Sequence, residues 1–312
     1  MKKILLTTTA MVAFAGAASA EVSLSGYAEI GIIGGSAAGM ETQFHHDFDV
    51  KFTLSGETDN GLTFGATIDL DEVSGGISNR ANPSAVFISG SFGTLTMGDT
   101  DGAFDWAMQE VGIGSALADD HTTHGGFGFN SGTDGMYDGQ VLRYDNTFGD
   151  FGVALSAEID DSGTNYSTAW GLGLKYNAAL GAVDLGLGLA YGSYETAAGT
   201  DSMWGLSVDA KFGGGFRAIL NYSDLGDTDA GGVGETHTGI GLGYTSGALT
   251  VSANYGIFEE GASEQDGYGL AVNYDLGGGA VVMAGYGDTS TCGVYAGCAA
   301  ESTWSVGLGL SF

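Results

Sequence analysis

Proline and basic residues are scarce in this chain of 312 residues: there is one proline, and 38 acidic residues outnumber eight lysines and arginines. Glycine instead fills 58 positions, far above the ~7% of an average protein, and each glycine weakens a helix interior by about 1 kcal/mol. A mainly helical or α/β enzyme is therefore disfavoured. Disorder is excluded because 43% of the residues are apolar, and collagen because proline is missing. A net charge of −30 argues against nucleic acid as a partner.

The first 20 residues have the pattern of a secretory signal peptide. Lys2 and Lys3 give a positive start, an apolar run follows at 4–16, and small residues predict cleavage after Ala20. We therefore expect export and a single mature domain at 21–312. Its net charge is −32, because six basic residues remain against 38 acidic ones.

Only two cysteines are present, and both fall near the end of the chain. Cys292 and Cys298 are separated by five residues, and an exported protein meets an oxidising environment. We therefore predict a local disulfide between them. The intervening residues contain no histidine or further cysteine, which disfavours a metal site.

No stretch of the mature chain approaches 18 consecutive apolar residues, which excludes a helical membrane protein. The sequence alternates instead: between Leu62 and Leu70 every second residue is apolar, the period of a two-faced β-strand. Runs of this kind occur sixteen times, at 22–33, 44–56, 61–71, 84–92, 94–99, 140–148, 151–160, 168–177, 182–194, 203–212, 216–224, 236–246, 248–257, 267–276, 280–288 and 302–312. Tight glycine-rich turns alternate with eight longer connections, at 34–43, 72–83, 100–139, 161–167, 195–202, 225–235, 258–266 and 289–301.

Charged residues within these runs share one face of each strand. A basic charge on the lipid face of a membrane barrel costs about 2–4 kcal/mol at the bilayer midplane, which accounts for the opposite, apolar face. The residues on the charged face are Lys51, Arg143, Lys175, Lys211, Arg217, Glu29, Asp47, Asp49, Asp69, Asp145, Glu158, Asp184, Asp209 and Asp275.

Aromatic residues on the apolar face form two bands, one at each end of the strands. A soluble β-sandwich also alternates but predicts no such bands, whereas aromatic rings gather at both interfaces of a membrane. The first band comprises Phe148, Phe151, Tyr176, Phe212, Phe216, Tyr244, Tyr274 and Phe312, and the second Trp170, Tyr191, Trp204, Tyr222, Tyr255, Tyr268, Tyr286 and Trp304.

A sheet in hydrocarbon must close on itself, so we expect strand 22–33 to pair with strand 302–312. The predicted fold class is all-β, a 16-stranded antiparallel transmembrane β-barrel. At this strand number the wall encloses an aqueous channel. Inward glycines, as in 183–189 and 238–244, are expected to keep that channel open.

Three segments carry a resemblance to a known family. They are the terminal Phe312 after the alternating 306–311, the run 92–99 before a long third loop, and Tyr274-Asp-Leu-Gly-Gly-Gly279. Together with the signal peptide, they resemble the general diffusion porins of Gram-negative outer membranes, Rhodobacter type. The resemblance implies a homotrimer in outer-membrane lipid and lipopolysaccharide, an inward-folded third loop, and passive diffusion of ions and small hydrophilic solutes. It also implies that Phe312 is the signal read by the outer-membrane assembly machinery.

The predicted third loop is acidic and contains no lysine or arginine between Thr100 and Gly139. The resemblance implies that it narrows the pore and that basic residues on the early strands oppose it. The predicted constriction comprises Asp101, Asp105, Glu110, Asp119 and Asp120 opposite Lys51, Arg80 and Arg143. Further pore-lining residues are Asp47, Asp49, Asp69, Asp145, Lys175, Asp209, Lys211 and Arg217. Because acids outnumber bases, we expect a preference for cations.

Other chemistry is weakly indicated. His121 and His124 have a spacing that can hold a metal, but no third ligand is fixed, and a plain polar loop is favoured. The acidic stretches 160–165 and 224–229 could take adventitious Ca²⁺ but do not match a twelve-residue calcium loop. No cofactor is expected. An adhesin or structural barrel, and a barrel hydrolase using His237, remain alternatives.

Overall fold

The computed structural model describes residues 21–36, 40–73, 76–77, 84–120, 122–127, 141–159, 168–196, 199–226, 234–294 and 300–312. The predicted signal peptide, Arg80, His121 and Cys298 lie outside these ranges. The strands are β1 Glu21–Gly35, β2 Gln43–Glu57, β3 Thr63–Val73, β4 Gly76–Ile77, β5 Ser84–Gly90, β6 Gly93–Gly98, β7 Val141–Phe148, β8 Phe151–Ile159, β9 Thr168–Leu180, β10 Val183–Thr196, β11 Gly199–Phe212, β12 Phe216–Asp224, β13 Glu235–Ser246, β14 Leu249–Glu260, β15 Ser263–Gly277, β16 Ala280–Thr291 and β17 Ser302–Ser311. The helices are α1 Ala103–Ala107 and α2 Leu117–Asp120.

The sheet closes between its first and last strands. β1 pairs with β2 on one side and with β17 on the other, where the register runs from Tyr27↔Ser311 to Gly35↔Thr303. β4 pairs only with the end of β3, and β3 pairs directly with β5. Of the seventeen strands, sixteen therefore form a closed antiparallel barrel, which confirms the predicted fold.

The predictions of two of the long loops are wrong. The segments 195–202 and 258–266 belong mostly to paired strands, since the ladders continue to Thr196↔Gly199 and Glu260↔Ser263. Backbone hydrogen bonds extend a hairpin whether or not its side chains are apolar. Polar residues beyond the apolar belt hide the alternation on which the sequence prediction depended.

The two faces of the barrel differ as predicted. Along β2 the exposed Phe48 and Phe52 alternate with Asp49 and Lys51, and Lys51 lies opposite Asp69 of β3. Along β12 the exposed Leu220 alternates with fully buried inward residues. The apolar face is thus turned outward, and the charged and polar residues are turned inward.

Aromatic residues of the two bands meet across neighbouring strands. At the short-turn end, the ring centroids of Phe151 and Tyr176 lie 4.8 Å apart. At the opposite end, the ring centroids of Trp170 and Tyr191 are separated by 5.3 Å. Aromatic pairs of this kind, here with tilted rings, add about 0.5–1.5 kcal/mol to the burial of the rings, so each band also stabilises strand pairing.

The third connection folds back inside the barrel. We call residues 101–127, without His121, the inner loop. Its helix α1 packs against β8, β9 and β10, and α2 lies against β1, β16 and β17. No helix in the described ranges is long and apolar enough to cross a membrane. The buried core of the molecule is the layer between this loop and the wall.

Candidate pore and its inner loop

Polar side chains of the wall hold the backbone of the inner loop. At the start of the loop, Ala103 N donates to Ser156 Oγ at 2.9 Å, and Gln109 N donates to Ser207 Oγ at 2.9 Å. Asn221 Nδ2 donates to the Gln109 carbonyl at 2.9 Å. These wall residues are almost fully buried, so each replaces a water molecule that a free loop would bind.

The second half of the inner loop is held in the same way. Asn273 accepts from Ser115 N at 3.0 Å and donates to the Ser115 carbonyl at 2.7 Å. Further along, Leu117 N donates to Ser305 Oγ at 3.2 Å, and Gly125 N donates to Thr289 Oγ1 at 2.8 Å. The described contacts of the loop run around most of the inner circumference.

Wall glycines allow the loop to lie flat on the sheet. A Cβ on Gly173 would overlap the carbonyl oxygen of Ala103, and one on Gly241 would overlap that of Val111. The expectation that inward glycines keep the channel open is therefore wrong for these positions. They provide the close approach of two backbones that only glycine permits.

Apolar side chains of the loop fill the remaining space against the wall. Phe104 packs with alanines and a methionine of β9 to β11, Val111 with Ile219, and Leu117 with Met283. Leu117 has no exposed surface. Complete burial of such a side chain contributes roughly 1.5–3 kcal/mol, so the three clusters fix the loop at three places along its path.

Arg143 contacts the loop directly. Its Nη1 donates to the Asp101 carbonyl at 2.7 Å, and its Nε donates to Asp145 Oδ1 at 3.2 Å. The carboxylate of Asp101 lies 3.8 Å from Nη1. Arg143 was predicted to oppose the acidic loop across the channel, and the structure places it beside the first of those acids.

Lys51 lies on the early strands, as predicted. Its Nζ is 3.4 Å from Asp69 Oδ2, and both side chains are about half exposed. Arg80, the third predicted basic residue, lies outside the described residues. Lys51 is therefore a predicted basic constriction residue whose nearest described carboxylate belongs to the wall residue Asp69.

The other predicted acids of the loop lie in or next to its helices. Asp105 is in α1, and Glu110 follows α1 where the loop runs toward β12. Asp119 and Asp120 end α2, and their side chains are not described. The acidic residues thus follow the path of the loop around the wall.

Trp106 and Lys175 form a second charged contact between loop and wall. Lys175 Nζ lies 4.1 Å from the centroid of the Trp106 ring, which also covers Gly152. A cation over an aromatic face contributes about 0.5–2 kcal/mol, depending on its solvation. This pair joins α1 to β9 and limits how far Lys175 reaches into the channel.

We expect Trp106→Leu to lower the free energy of unfolding by about 0.5–2 kcal/mol more than Trp106→Phe, because phenylalanine keeps an aromatic face for Lys175. Urea unfolding of both variants measures this difference. The same pair of variants in a Lys175→Met background is the control, and there the difference should disappear. A difference of equal size in that background would show that packing alone is responsible.

Three more predicted pore-lining residues meet near the short-turn end. Arg217 Nε donates to Asp209 Oδ1 at 2.8 Å and its Nη2 to Oδ2 at 3.0 Å. Lys211 Nζ lies 3.7 Å from the same carboxylate. This cluster of three charged side chains lies on the inner face of the wall, where the pair of Arg217 and Asp209 joins β12 to β11.

The chain terminus closes the sheet next to β1. Phe312 N donates to the Gly26 carbonyl at 2.8 Å, and the Phe312 ring is highly exposed.

Cys292 is disulfide-bonded, but Cys298 lies outside the described residues, so the pairing stays a prediction. The acidic stretch 160–165 and residues 227–229 of the other acidic stretch are also outside the described residues. Among the residues that the structure describes, no group of three histidines, cysteines or acids could hold a metal.

A closed sixteen-stranded barrel with an apolar outer face, a polar inner face and a loop folded against its inner wall defines an outer-membrane channel protein. Its family is shown by sequence. The chain belongs to the Gram-negative porins, whose family pattern it matches over residues 7–293.

Individual relatives agree with this assignment. A porin of Rhodobacter capsulatus is 31% identical over 292 residues, which cover 86% of this chain and 94% of the relative. A refined porin structure superposes with a TM-score of 0.71 at 24% identity, covering 94% of this chain and all of the other. A mutant form of Rh. blastica porin gives a TM-score of 0.69 at 21% identity with the same coverage.

Proposed function

We propose that this porin forms a water-filled channel for passive diffusion of ions and small hydrophilic solutes. The main support is the position of the inner loop, whose backbone is hydrogen-bonded to wall residues along its length. A loop held against the wall leaves the rest of the cross-section to water. Swelling of liposomes in neutral sugars tests this proposal, and uptake should fall as sugar size increases. Equal rates with and without the protein would contradict it.

We propose in addition that the channel prefers cations. The mature chain has a net charge of −32, and the inward acids outnumber the inward bases. Lys51, Arg143 and Arg217 each lie within 3.4 Å of a carboxylate, so their positive charge is locally compensated. The remaining acids then set the sign of the potential in the lumen and attract cations.

Reversal potentials in a salt gradient test the cation preference. We expect a cation-selective potential near 0.1 M salt that weakens near 1 M, because the screening length falls from about 10 Å to about 3 Å. Lys51→Gln should increase the preference, since it leaves Asp69 uncompensated. An anion-selective potential at low salt would contradict the proposal.

The family resemblance supports three further proposals. We propose that the protein is a homotrimer embedded in outer-membrane lipid and lipopolysaccharide. We also propose that the outer-membrane assembly machinery recognises Phe312. Its exposed ring at the end of the closing strand suits such recognition. We also propose that the protein has no catalytic function or cofactor. His237, the residue considered for a hydrolase, is almost fully buried and donates to the Gly126 carbonyl at 3.0 Å, so it is not available as a general base.

A further inference from the structure

One residue of the inner loop, Gly126, is held between two histidine side chains. Gly126 N donates to His124 Nδ1 at 3.2 Å, and the Gly126 carbonyl accepts from His237 Nε2 at 3.0 Å. Gly126 also lies against Gly256 of the wall, where a Cβ on either residue would overlap the other's carbonyl. The two imidazoles therefore bind opposite ends of the same residue at its closest approach to the sheet.

The contacts of His124 require the neutral ring. A backbone N–H can only donate, so Nδ1 must accept and carries no proton. The other nitrogen, Nε2, lies 2.8 Å from Asn254 Oδ1 and donates to it. A second proton on this ring would sit on Nδ1 and would point at the Gly126 N–H. Protonation of His124 thus replaces a hydrogen bond with a donor–donor contact.

The contacts of His237 lead to the same conclusion. A carbonyl can only accept, so Nε2 carries the proton and Nδ1 does not. Nδ1 is buried and has no hydrogen-bond partner in the described structure. The Phe258 ring lies 4.5 Å away, centroid to centroid. A proton on Nδ1 would therefore place a positive charge in a buried site where only the backbone of Gly126 and Phe127 favours it, which is costly.

The charged groups that face His124 are Asp266 of β15 and Asp288 of β16, with His237 on β13 and the neutral Asn254 on β14. The two acids favour the imidazolium, and His237 opposes it. Burial outweighs these effects and lowers the pKa of His124 below its ordinary value of 6.5. The docked loop therefore binds fewer protons than a released loop, and docking weakens as the pH falls below 6.5.

We propose that His124 and His237 form an acid-sensitive latch on the inner loop. When the rings are protonated, residues 122–127 leave the wall. The sheet blocks any outward movement, so the released segment moves into the lumen and narrows the channel. The docked-to-released ratio falls by up to about tenfold per pH unit for each imidazole that takes a proton.

The first test is hydrogen exchange of the Gly125 and Gly126 amides in the full chain, expressed as protection factors at about pH 7.5 and about pH 5. Single-channel conductance is recorded at the same two pH values. We expect both protection and conductance to fall in acid. The exchange measurement does not depend on the proposed channel function, so loss of protection without any conductance supports the latch and counts against the channel.

Two substitutions keep the hydrogen bonds to Gly126 but cannot titrate. His124→Asn retains an acceptor for Gly126 N, and His237→Gln retains a donor for the Gly126 carbonyl. The combined variant should keep its protection factors within about twofold between the two pH values. His46→Gln, on the exposed face of β2, is the matched control and should respond like the wild type.

Two results would overturn the proposal. The first is a wild-type chain whose Gly125 and Gly126 protection is unchanged in acid. The second is a combined variant that loses protection in acid as much as the wild type. If the combined variant fails to fold, the test uses His124→Asn alone. This variant should retain only the response of His237, so its loss of protection in acid should be smaller than that of the wild type.

Discussion

Substituting Gly188 with alanine should destabilise the barrel by about 1–3 kcal/mol and reduce its conductance. A Cβ at this position would overlap the carbonyl oxygen of Ala107 and lie 2.5 Å from Ser207 Oγ. Ser207 can rotate, but the Ala107 carbonyl belongs to the backbone just after α1. The inner loop must therefore shift away from β10, and the only space available lies toward the lumen. Urea unfolding and single-channel conductance measure the two effects.

Gly186 provides a matched control on the same strand and the same face. Its nearest neighbour for a new Cβ is the side-chain oxygen of Asn177 at 3.2 Å, and no backbone atom of the inner loop is involved. Gly186→Ala should therefore change stability by less than about 1 kcal/mol and leave conductance unchanged. Equal effects of the two substitutions would show that Gly188 does not support the loop.

Substituting Glu29 with alanine should cost about 3–5 kcal/mol and release α2 from the wall. The Glu29 carboxylate is buried and accepts three hydrogen bonds, from Tyr27 Oη at 3.1 Å, His45 Nε2 at 2.9 Å and Ala118 N at 2.8 Å. Ala118 has a φ of 56°, which costs a non-glycine residue about 1–2 kcal/mol. Without Glu29 the start of α2 loses the bond that holds this conformation.

Glu29→Gln separates the hydrogen bonds from the charge. Glutamine keeps an oxygen that can accept from Ala118 N, so we expect a loss of stability at least about 1 kcal/mol smaller than with alanine. Thermal or urea unfolding gives the stabilities, and proteolysis near α2 reports release of the loop. If both variants unfold like the wild type, Glu29 does not anchor the loop.

Strand positions and faces could be predicted because the membrane imposes a period of two on each strand. Phe48 and Phe52 are apolar because they face lipid, and that requirement is visible in the sequence alone. Closure of β1 on β17 followed from the need to satisfy backbone groups in hydrocarbon. The strand ends near Thr196 and Glu260 were missed because no apolar requirement acts on them outside the bilayer.

The path of the inner loop could not be predicted in the same way. Its residues make single contacts with strands far away in sequence, such as Leu117 with Ser305, and these contacts leave no periodic pattern. Arg143 was assigned to the opposing wall from the family resemblance, whereas the structure shows that it donates to the Asp101 carbonyl. The usable signal was an inward glycine paired with an inward serine on the next strand, as Gly188 with Ser207 and Gly171 with Ser156, which indicates a second backbone lying on the sheet.

Locking the inner loop to the wall by a disulfide tests its position most directly. A Cβ on Gly171 would lie 3.3 Å from the Ala103 Cβ, close to the roughly 3.5–4.5 Å that a disulfide requires. Gly171→Cys combined with Ala103→Cys, with Cys292 and Cys298 replaced by serine, should form this bond with dissolved oxygen as the oxidant. The conductance of the locked channel should equal that of the same channel after reduction. A conductance that changes on reduction would mean that the loop of the working channel does not lie on the wall.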